Sequence, residues 1–388
     1  MLKWCIDRAQ IPGYQGLQQV WIDPHDRIQA IHPFGSIEPP AALDRLDLEQ
    51  DWLSLGGVDL QINGALGLAF PDLTEANQDQ LEAIGHLLWQ QGVDGYLPTI
   101  VTTAMGKVHQ ALAVIRHFQP SSTQPTAKIL GVHLEGPCLN VEKRGAHPAD
   151  YLQPLTVNTL QQVLGDDADI VKVITLAPEL DADGDAIAFL REQNILVSLG
   201  HSQATAAQAQ MAFQQGATMV THAFNAMPSL HHRQPGLLAA ALIEPTVWCG
   251  FIADGQHVDP LMLKLLLKTS DSLFLVSDAL SPLGLPDGLY PWDARQIKVT
   301  DGTARLPSGT LSGTTLPLLQ GVQNLVAWGV CSVERAIFLA TEAPRKAISR
   351  PGIGPGQPAS NLLRWHYDVQ AKDLTWTRCI GSDIEITP

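Results

Sequence analysis

The stretch SLGHSQATAAQAQMAFQQGATMVTHAFNAMPSLHHRQPG, residues 198–236, decides the fold. An apolar run over 195–199 ends in Gly200-His201-Ser202. A helical pattern follows over 204–214. A second apolar run, 217–220, ends in Thr221-His222. Short apolar runs bounded by polar clusters read as buried strands, and the cluster marks the rim where the strand stops. Strand, helix and strand in this order imply a parallel pair whose ends reach the same rim. Two imidazoles there fit two readings: a pair of hydrogen-bonded rim histidines, or part of a metal site.

The same rhythm extends both ways. Upstream lie strand-like runs at 52–62, 95–101, 128–134 and 170–176, and downstream at 247–252 and 273–276. Helical patterns separate them, the clearest carrying Leu81, Ile84, Leu87 and Leu88, and the next Val108, Leu112, Ile115 and Phe118. Eight strands alternating with helices are the count of a closed (β/α)₈ barrel, in which chemistry sits where strands end. Past the eighth strand, 295–299, 303–306 and 308–313 read as hairpin strands, and 316–328 and 332–341 as helices. The two ends carry short mixed runs (18–22, 27–31 and 359–377). The expected architecture is α/β: a TIM-like barrel over 52–349, with a small β-sandwich domain formed by 1–51 and 350–388. The GIGPG run at 352–356 reads as a turn, since no helix follows to hold a phosphate.

With 388 residues, 45% of them hydrophobic, the chain can fill such a core. A net charge of −15 argues against nucleic acid or an anionic membrane as partner. An anionic small molecule would need a local cluster of cations or amide donors. The five cysteines are scattered without a CxxC, so neither a disulfide framework nor a thiolate metal site is expected. That usage, with no apolar signal core in MLKWCIDRAQ, fits a cytoplasmic protein. The apolar run LMLKLLLK at 261–268 is short and broken by lysines, a buried helix rather than a membrane span.

The expected strand ends collect Asp59, Gln61 and Asn63 from the first strand, and His133 and Glu135 from the third. His201, His222 with Asn225, His257 and Asp278 come from the fifth to the eighth. Two imidazoles and one carboxylate are the ligand set of a mononuclear catalytic zinc, which keeps a fourth position for water. Glu135 is the natural carboxylate. Taken singly, a strand-end Glu also reads as a cap and a rim His as hydrogen-bonded structure. His133 shares the face of Glu135 and reads as a core histidine before a ligand. Asp278, beside an activated water, would be a general base that later returns its proton; alone it reads as a loop cap. The loop 228–236 carries His231, His232 and Arg233, either a site for phosphate or carboxylate or a solvated basic loop.

At these residues the chain resembles the amidohydrolase superfamily and, more narrowly, the N-acetylglucosamine-6-phosphate deacetylases. The matching stretches are VDLQINGA (58–65), GVHLEGPCLN (131–140), KRGAHP (143–148), LGHSQA (199–204), THAFNAMPSLHHRQPGL (221–237), ADGQHVD (253–259), LVSDALSPLGLPDG (275–288) and GTLSGTT (309–315). The resemblance implies hydrolysis of the acetamide of N-acetyl-D-glucosamine 6-phosphate. It places the metal on Glu135, His201 and His222, with Asp278 as acid/base. His147, with Ala146, belongs to a substrate-contacting turn, where it either stabilises the oxyanion or holds a sugar hydroxyl. Asn225, Ala226, Arg233, His257, Leu311, Ser312 and Gly313 match sugar- and phosphate-holding positions, and Gln61 is carried with them. The counterpart of Arg233 can reach a neighbouring subunit's site, which implies a homodimer. Binuclear members of the superfamily carry D-x-H-x-H-G on the first strand. Here Gln61 and Asn63 stand at the histidine positions. Amides are poor ligands, so one divalent ion is expected: zinc, or iron(II) or another in its place. The rivals are the galactosamine epimer as substrate, a cyclic-amide hydrolase and a non-catalytic sugar-phosphate binder.

Overall fold

The computed structural model describes residues 2–40, 43–121, 123–380 and 384–386, with 380 and 384–386 described by backbone alone. Eight parallel strands form the barrel: β1 Gly57–Ile62, β2 Val93–Val101, β3 Val132–Glu135, β4 Val171–Leu176, β5 Leu196–Leu199, β6 Met219–Val220, β7 Trp248–Phe251 and β8 Leu273–Leu275. Each pairs with the next in chain order. A parallel bridge between Ile62 and Ala279 closes the circle, with Asp278 N–H on Gln61 O at 2.9 Å and Asn63 N–H on Ala279 O at 2.7 Å. The closing bonds therefore run through the residues that carry the expected chemistry.

Helices α1 Gln78–Gln90, α2 Met105–His117, α3 Val157–Leu164, α4 Ala186–Glu192, α5 Ala206–Gln215, α6 Gly236–Leu242 and α7 Pro260–Thr269 follow β1 to β7. Two more, α8 Leu318–Ala327 and α9 Val333–Ala347, follow β8. Their starts follow local chemistry. Thr205 and Gln208 form a capping box at α5, and Asp259 caps α7 with Pro260 in its first turn. Apolar stripes of these helices pack on the strands in one large cluster. A second cluster joins Val58, Leu97, Val173, Met219, Phe274 and Val276 to Ala343 and Ile348. Strands from opposite sides of the circle can touch only inside it, so this layer fills the barrel beneath the site. No helix among the described residues is long and apolar enough to cross a membrane.

Two four-stranded sheets flank the barrel. One holds Trp4–Ala9, Gln18–Ile22, Ile28–Pro33 and Asp44–Asp47. The other holds Trp52–Leu55, Leu362–Asp368, Asp373–Ile380 and Ile384–Ile386. Their shared core includes Trp4, Ile6, Ile22, Leu53, Leu362 and Cys379. The expected single strand 52–62 is thus two. Trp52–Leu55 pairs antiparallel with Leu362–Trp365, and the chain enters the barrel only after Gly56. Gly56 tolerates no side chain, since a Cβ there would lie 2.3 Å from Asp94 Oδ1. Asp94 itself is buried and accepts from Arg345 of α9 and from Arg378 of the C-terminal sheet, each at 3.0 Å. Arg378 also lies 4.3 Å over the Trp89 ring. This triad ties the terminal sheet to the barrel floor. The tail residues 381–383 and 387–388 lie outside the described residues.

After β8 the chain forms a four-stranded antiparallel sheet, Gly288–Trp292, Arg295–Thr300, Thr303–Arg305 and Leu311–Thr314. Gly288–Trp292 is a strand that apolar patterning does not reveal, because its Leu289 is 68 % exposed. The last helix also continues to Ala347 through Pro344, past the expected end near 341.

Candidate active site

A cavity of about 1000 Å³ opens at the C-terminal ends of the barrel strands. Glu135 ends β3, and His201 and His222 follow β5 and β6; all three are buried. Glu135 Oε1 lies 3.2 Å from His201 Nε2 and 3.2 Å from His222 Nε2, and the two nitrogens are 2.9 Å apart. Ligand atoms at ~2.0–2.1 Å around one tetrahedral ion stand roughly 3.3–3.4 Å from each other. The triangle is therefore close to metal-ligand size. His201 Nδ1 donates to Lys143 O at 2.9 Å, which leaves Nε2 with its lone pair toward the triangle. Burial favours the neutral carboxyl of Glu135, but the two imidazoles outweigh it and hold the pKa well below the usual range. The donor set and its spacing fit a divalent ion.

Backbone strain accompanies this geometry. His201, His222 and Asp278 have φ of 49°, 29° and 48°. Non-glycine residues rarely occupy this region, and the turn directs each side chain across the strand end.

Asp278 follows β8. Its Oδ1 accepts from Asn63 Nδ2 at 2.8 Å and from Gln61 Nε2 at 3.3 Å. Gln61 Nε2 also donates to Glu135 Oε1 at 2.9 Å. Gln61 thus bridges the two carboxylates and Asn63 holds Asp278, at positions where histidines would stand in a binuclear site. Gln61 is not on the cavity wall; it supports the carboxylates from below. Burial, then repulsion from Glu135, pushes the Asp278 carboxyl up to about 8. Asp59 lies deeper, accepts from the backbone N–H of Gln61 and Ser277, and is raised by burial to about 7.

His147 Nε2 lies 3.8 Å from Glu135 Oε2. Its Nδ1 is 2.9 Å from Thr102 Oγ1, whose hydroxyl donates to Glu135 O at 3.2 Å. Both bonds form together only when Nδ1–H donates to Thr102, so Nε2 is bare. Burial lowers the His147 pKa to about 3, which keeps the ring neutral. Glu135, His147 and His201 also offer ligand atoms within 4.8 Å of one another, so His147 borders the metal position. His133 does not. Its Nδ1 donates to Leu60 O at 3.0 Å and its Nε2 accepts from Thr175 Oγ1 at 2.7 Å, which leaves no lone pair for a ligand.

Ala146, Asn225, Ala226, His257, Leu311 and Ser312 line the cavity. The carbonyl of Ala146 is already occupied by Arg295 Nη2 at 2.7 Å. Gly313 lies behind the wall, where a Cβ would meet Asp278 O at 2.7 Å. Arg233 is exposed on its loop and does not line the cavity of its own chain. Residues that strand-end reasoning missed are Thr102, Lys143, Arg144, Asp254, Trp292 and Arg295. Asp254 carried a signal as an acid three positions before His257, Thr102 as the residue after the second strand run, and Lys143 and Arg144 as part of KRGAHP.

No family model matches the chain. The N-acetylgalactosamine-6-phosphate deacetylase of Escherichia coli O157:H7 is 32% identical over 349 residues, 88% of this chain and 91% of that one. The N-acetylglucosamine-6-phosphate deacetylase of Mus musculus is 38% identical over 306 residues, 76% and 74% of the two chains. Among solved structures, a variant of the Mycobacterium smegmatis N-acetyl-D-glucosamine-6-phosphate deacetylase, in complex with N-acetyl-D-glucosamine 6-phosphate, superposes with a TM-score of 0.83. That similarity covers all of both chains at 25% identity. With its barrel, its Glu-His-His triangle and these relatives, the chain belongs to the N-acetylglucosamine-6-phosphate deacetylase family of the amidohydrolase superfamily.

Proposed function

We propose that the protein hydrolyses the acetamide of N-acetyl-D-glucosamine 6-phosphate to glucosamine 6-phosphate and acetate. The observation that carries this reading is the ligand-sized triangle of Glu135, His201 and His222, with Asp278 after the last barrel strand and linked to Glu135 through Gln61. Glu135, His201 and His222 would hold a divalent ion, zinc in our assignment, which would supply Lewis acidity toward the water and the amide carbonyl. Asp278 takes the proton of the attacking water and returns it to the nitrogen as the C–N bond breaks. Asn63 and Gln61 keep its Oδ1 in place through both transfers. His147, with Nε2 bare, accepts a hydrogen bond from a sugar hydroxyl in preference to donating to the oxyanion. Asn225, Ala226, His257, Leu311 and Ser312, which line the cavity, hold the sugar phosphate, and that binding orients the amide toward Asp278.

Because Arg233 stands outside its own cavity, our reading includes a homodimer in which the partner subunit's Arg233 completes the phosphate site. A cytoplasmic enzyme of two units is assigned, a barrel and a β-sandwich contributed by both termini. The second substrate reading is N-acetylgalactosamine 6-phosphate, favoured by the 32% identical Escherichia coli relative. Acetate release from both sugar phosphates and from unphosphorylated N-acetylglucosamine tests the substrate reading. Faster turnover of the glucosamine phosphate is expected. Equal rates without the phosphate would remove the phosphate anchor, and a preference for the galacto epimer would select the second reading.

A further inference from the structure

Four fixed cations line the cavity, and each is already tied to a protein oxygen. Lys107 is paired with Asp72 and Lys143 is bonded to Met227 O. Arg144 is bonded to His147 O, and Arg295 to Ala146 O and Asp293. His257 differs. Its Nδ1 is 2.6 Å from Asp254 Oδ2, and among the described residues no partner lies on Nε2. The His257 and Asp254 side chains are only 6 % and 3 % exposed. Asp254 Oδ1 accepts from the backbone N–H of Gln256 at 2.9 Å and of His257 at 2.8 Å, so the carboxylate is anchored by the turn that presents the histidine.

This arrangement has a chemical consequence. A carboxylate can only accept, so Nδ1 must carry hydrogen. A neutral ring then offers a bare Nε2, which repels an anionic oxygen. A ring protonated on both nitrogens donates to Asp254 and to the anion at once. Burial works against the charge on Asp254, yet the bonds from His257 still lower its pKa, so the carboxylate persists to stabilise an imidazolium.

We propose that Asp254 is a positioning residue for phosphate recognition, holding His257 with Nε2 toward the cavity and as a cation once a phosphate monoester is bound. The inference rests on the deacetylase reading above for the identity of the sugar phosphate. A proton that binding adds to the pair comes from solvent onto Nε2, and none leaves Asp254. Unphosphorylated sugars gain nothing from the pair, which makes it a specificity element.

The test uses metal-loaded enzyme and glucose 6-phosphate, a probe with neither amide nor amine. Calorimetry across neutral and alkaline pH, in buffers of different ionisation enthalpy, is expected to show proton uptake on phosphate binding in the wild type. In Asp254→Asn the turn keeps its Oδ1 acceptor, but the amide donates to Nδ1, and a neutral ring then carries hydrogen on Nε2. Uptake should vanish. KM for the sugar phosphate should rise roughly 10- to 100-fold, with a much smaller change in kcat. In a His257→Gln background, the Asp254→Asn change should add almost nothing. Metal content and thermal midpoint serve as the folding check. Undiminished proton uptake in Asp254→Asn, an unchanged KM, or additive losses in the double variant would overturn the proposal. Should the wild type release no acetate from either sugar phosphate, the deacetylase reading fails separately, while proton-linked binding of glucose 6-phosphate would still uphold the Asp254 assignment.

Discussion

Replacing Asp278 by Asn should stabilise the chelator-stripped protein at alkaline pH while removing its activity. Asp278 is 7 % exposed, and its carboxyl is carried from 3.8 to about 8 by burial and by Glu135. Below the unfolded value both states hold the proton and nothing is lost. Between about 4 and 8 the folded state keeps a proton that the unfolded chain has released, so stability falls as pH rises. Above about 8 the cost is level, on the order of 5 kcal/mol. Asn carries no such burden, and Asn63 and Gln61 can still donate to its Oδ1. The stripped variant should therefore match the wild type near pH 4 and melt roughly 5 °C higher at pH 9. Scanning calorimetry across that range measures the difference. A gap between variant and wild type that does not grow with pH would refute the account. In the metal-loaded enzyme the same change should keep the ion and lower kcat ~10²–10⁴-fold, the usual worth of a general acid/base.

Metal analysis should find one divalent ion per chain; two would refute the role given to the Gln61 and Asn63 amides. Glu135→Gln or His222→Asn should weaken that ion's binding by at least ~100-fold in chelator competition, since each removes one of three protein ligands. Asp94→Ala should cost about 3–5 kcal/mol in urea unfolding, because it leaves Arg345 and Arg378 buried without their carboxylate. Gly313→Ala should cut kcat at least tenfold with metal content unchanged. Its Cβ would press on Asp278 O at 2.7 Å, and its φ of 148° disfavours a side chain.

Much of the site was legible because a parallel barrel concentrates chemistry at strand ends, and strand ends are local features. The apolar runs before Glu135, His201, His222 and Asp278 each stop where a polar cluster begins, so those four could be read one strand at a time. Even the position of Gln61 and Asn63 was visible. Their work was not: Gln61 joins Glu135 and Asp278 across gaps of 74 and 217 residues. Arg233 showed as a basic residue on a loop, but its distance from the cavity emerged only in the folded chain.

By itself the sequence determined the number and order of the barrel strands, the residue types of the candidate ligands and the poverty of the first strand in imidazoles. These follow from hydrophobic periodicity and side-chain chemistry, which act over a few residues. Only the tertiary structure decided that Trp52–Leu55 leaves the barrel for Leu362–Trp365, that Thr102 sets the protonated nitrogen of His147, and that Asp94 binds two arginines from distant elements. Each is a pairing of groups far apart in the chain. It is chosen because a buried hydrogen-bonding group or charge must find a partner wherever the fold brings one.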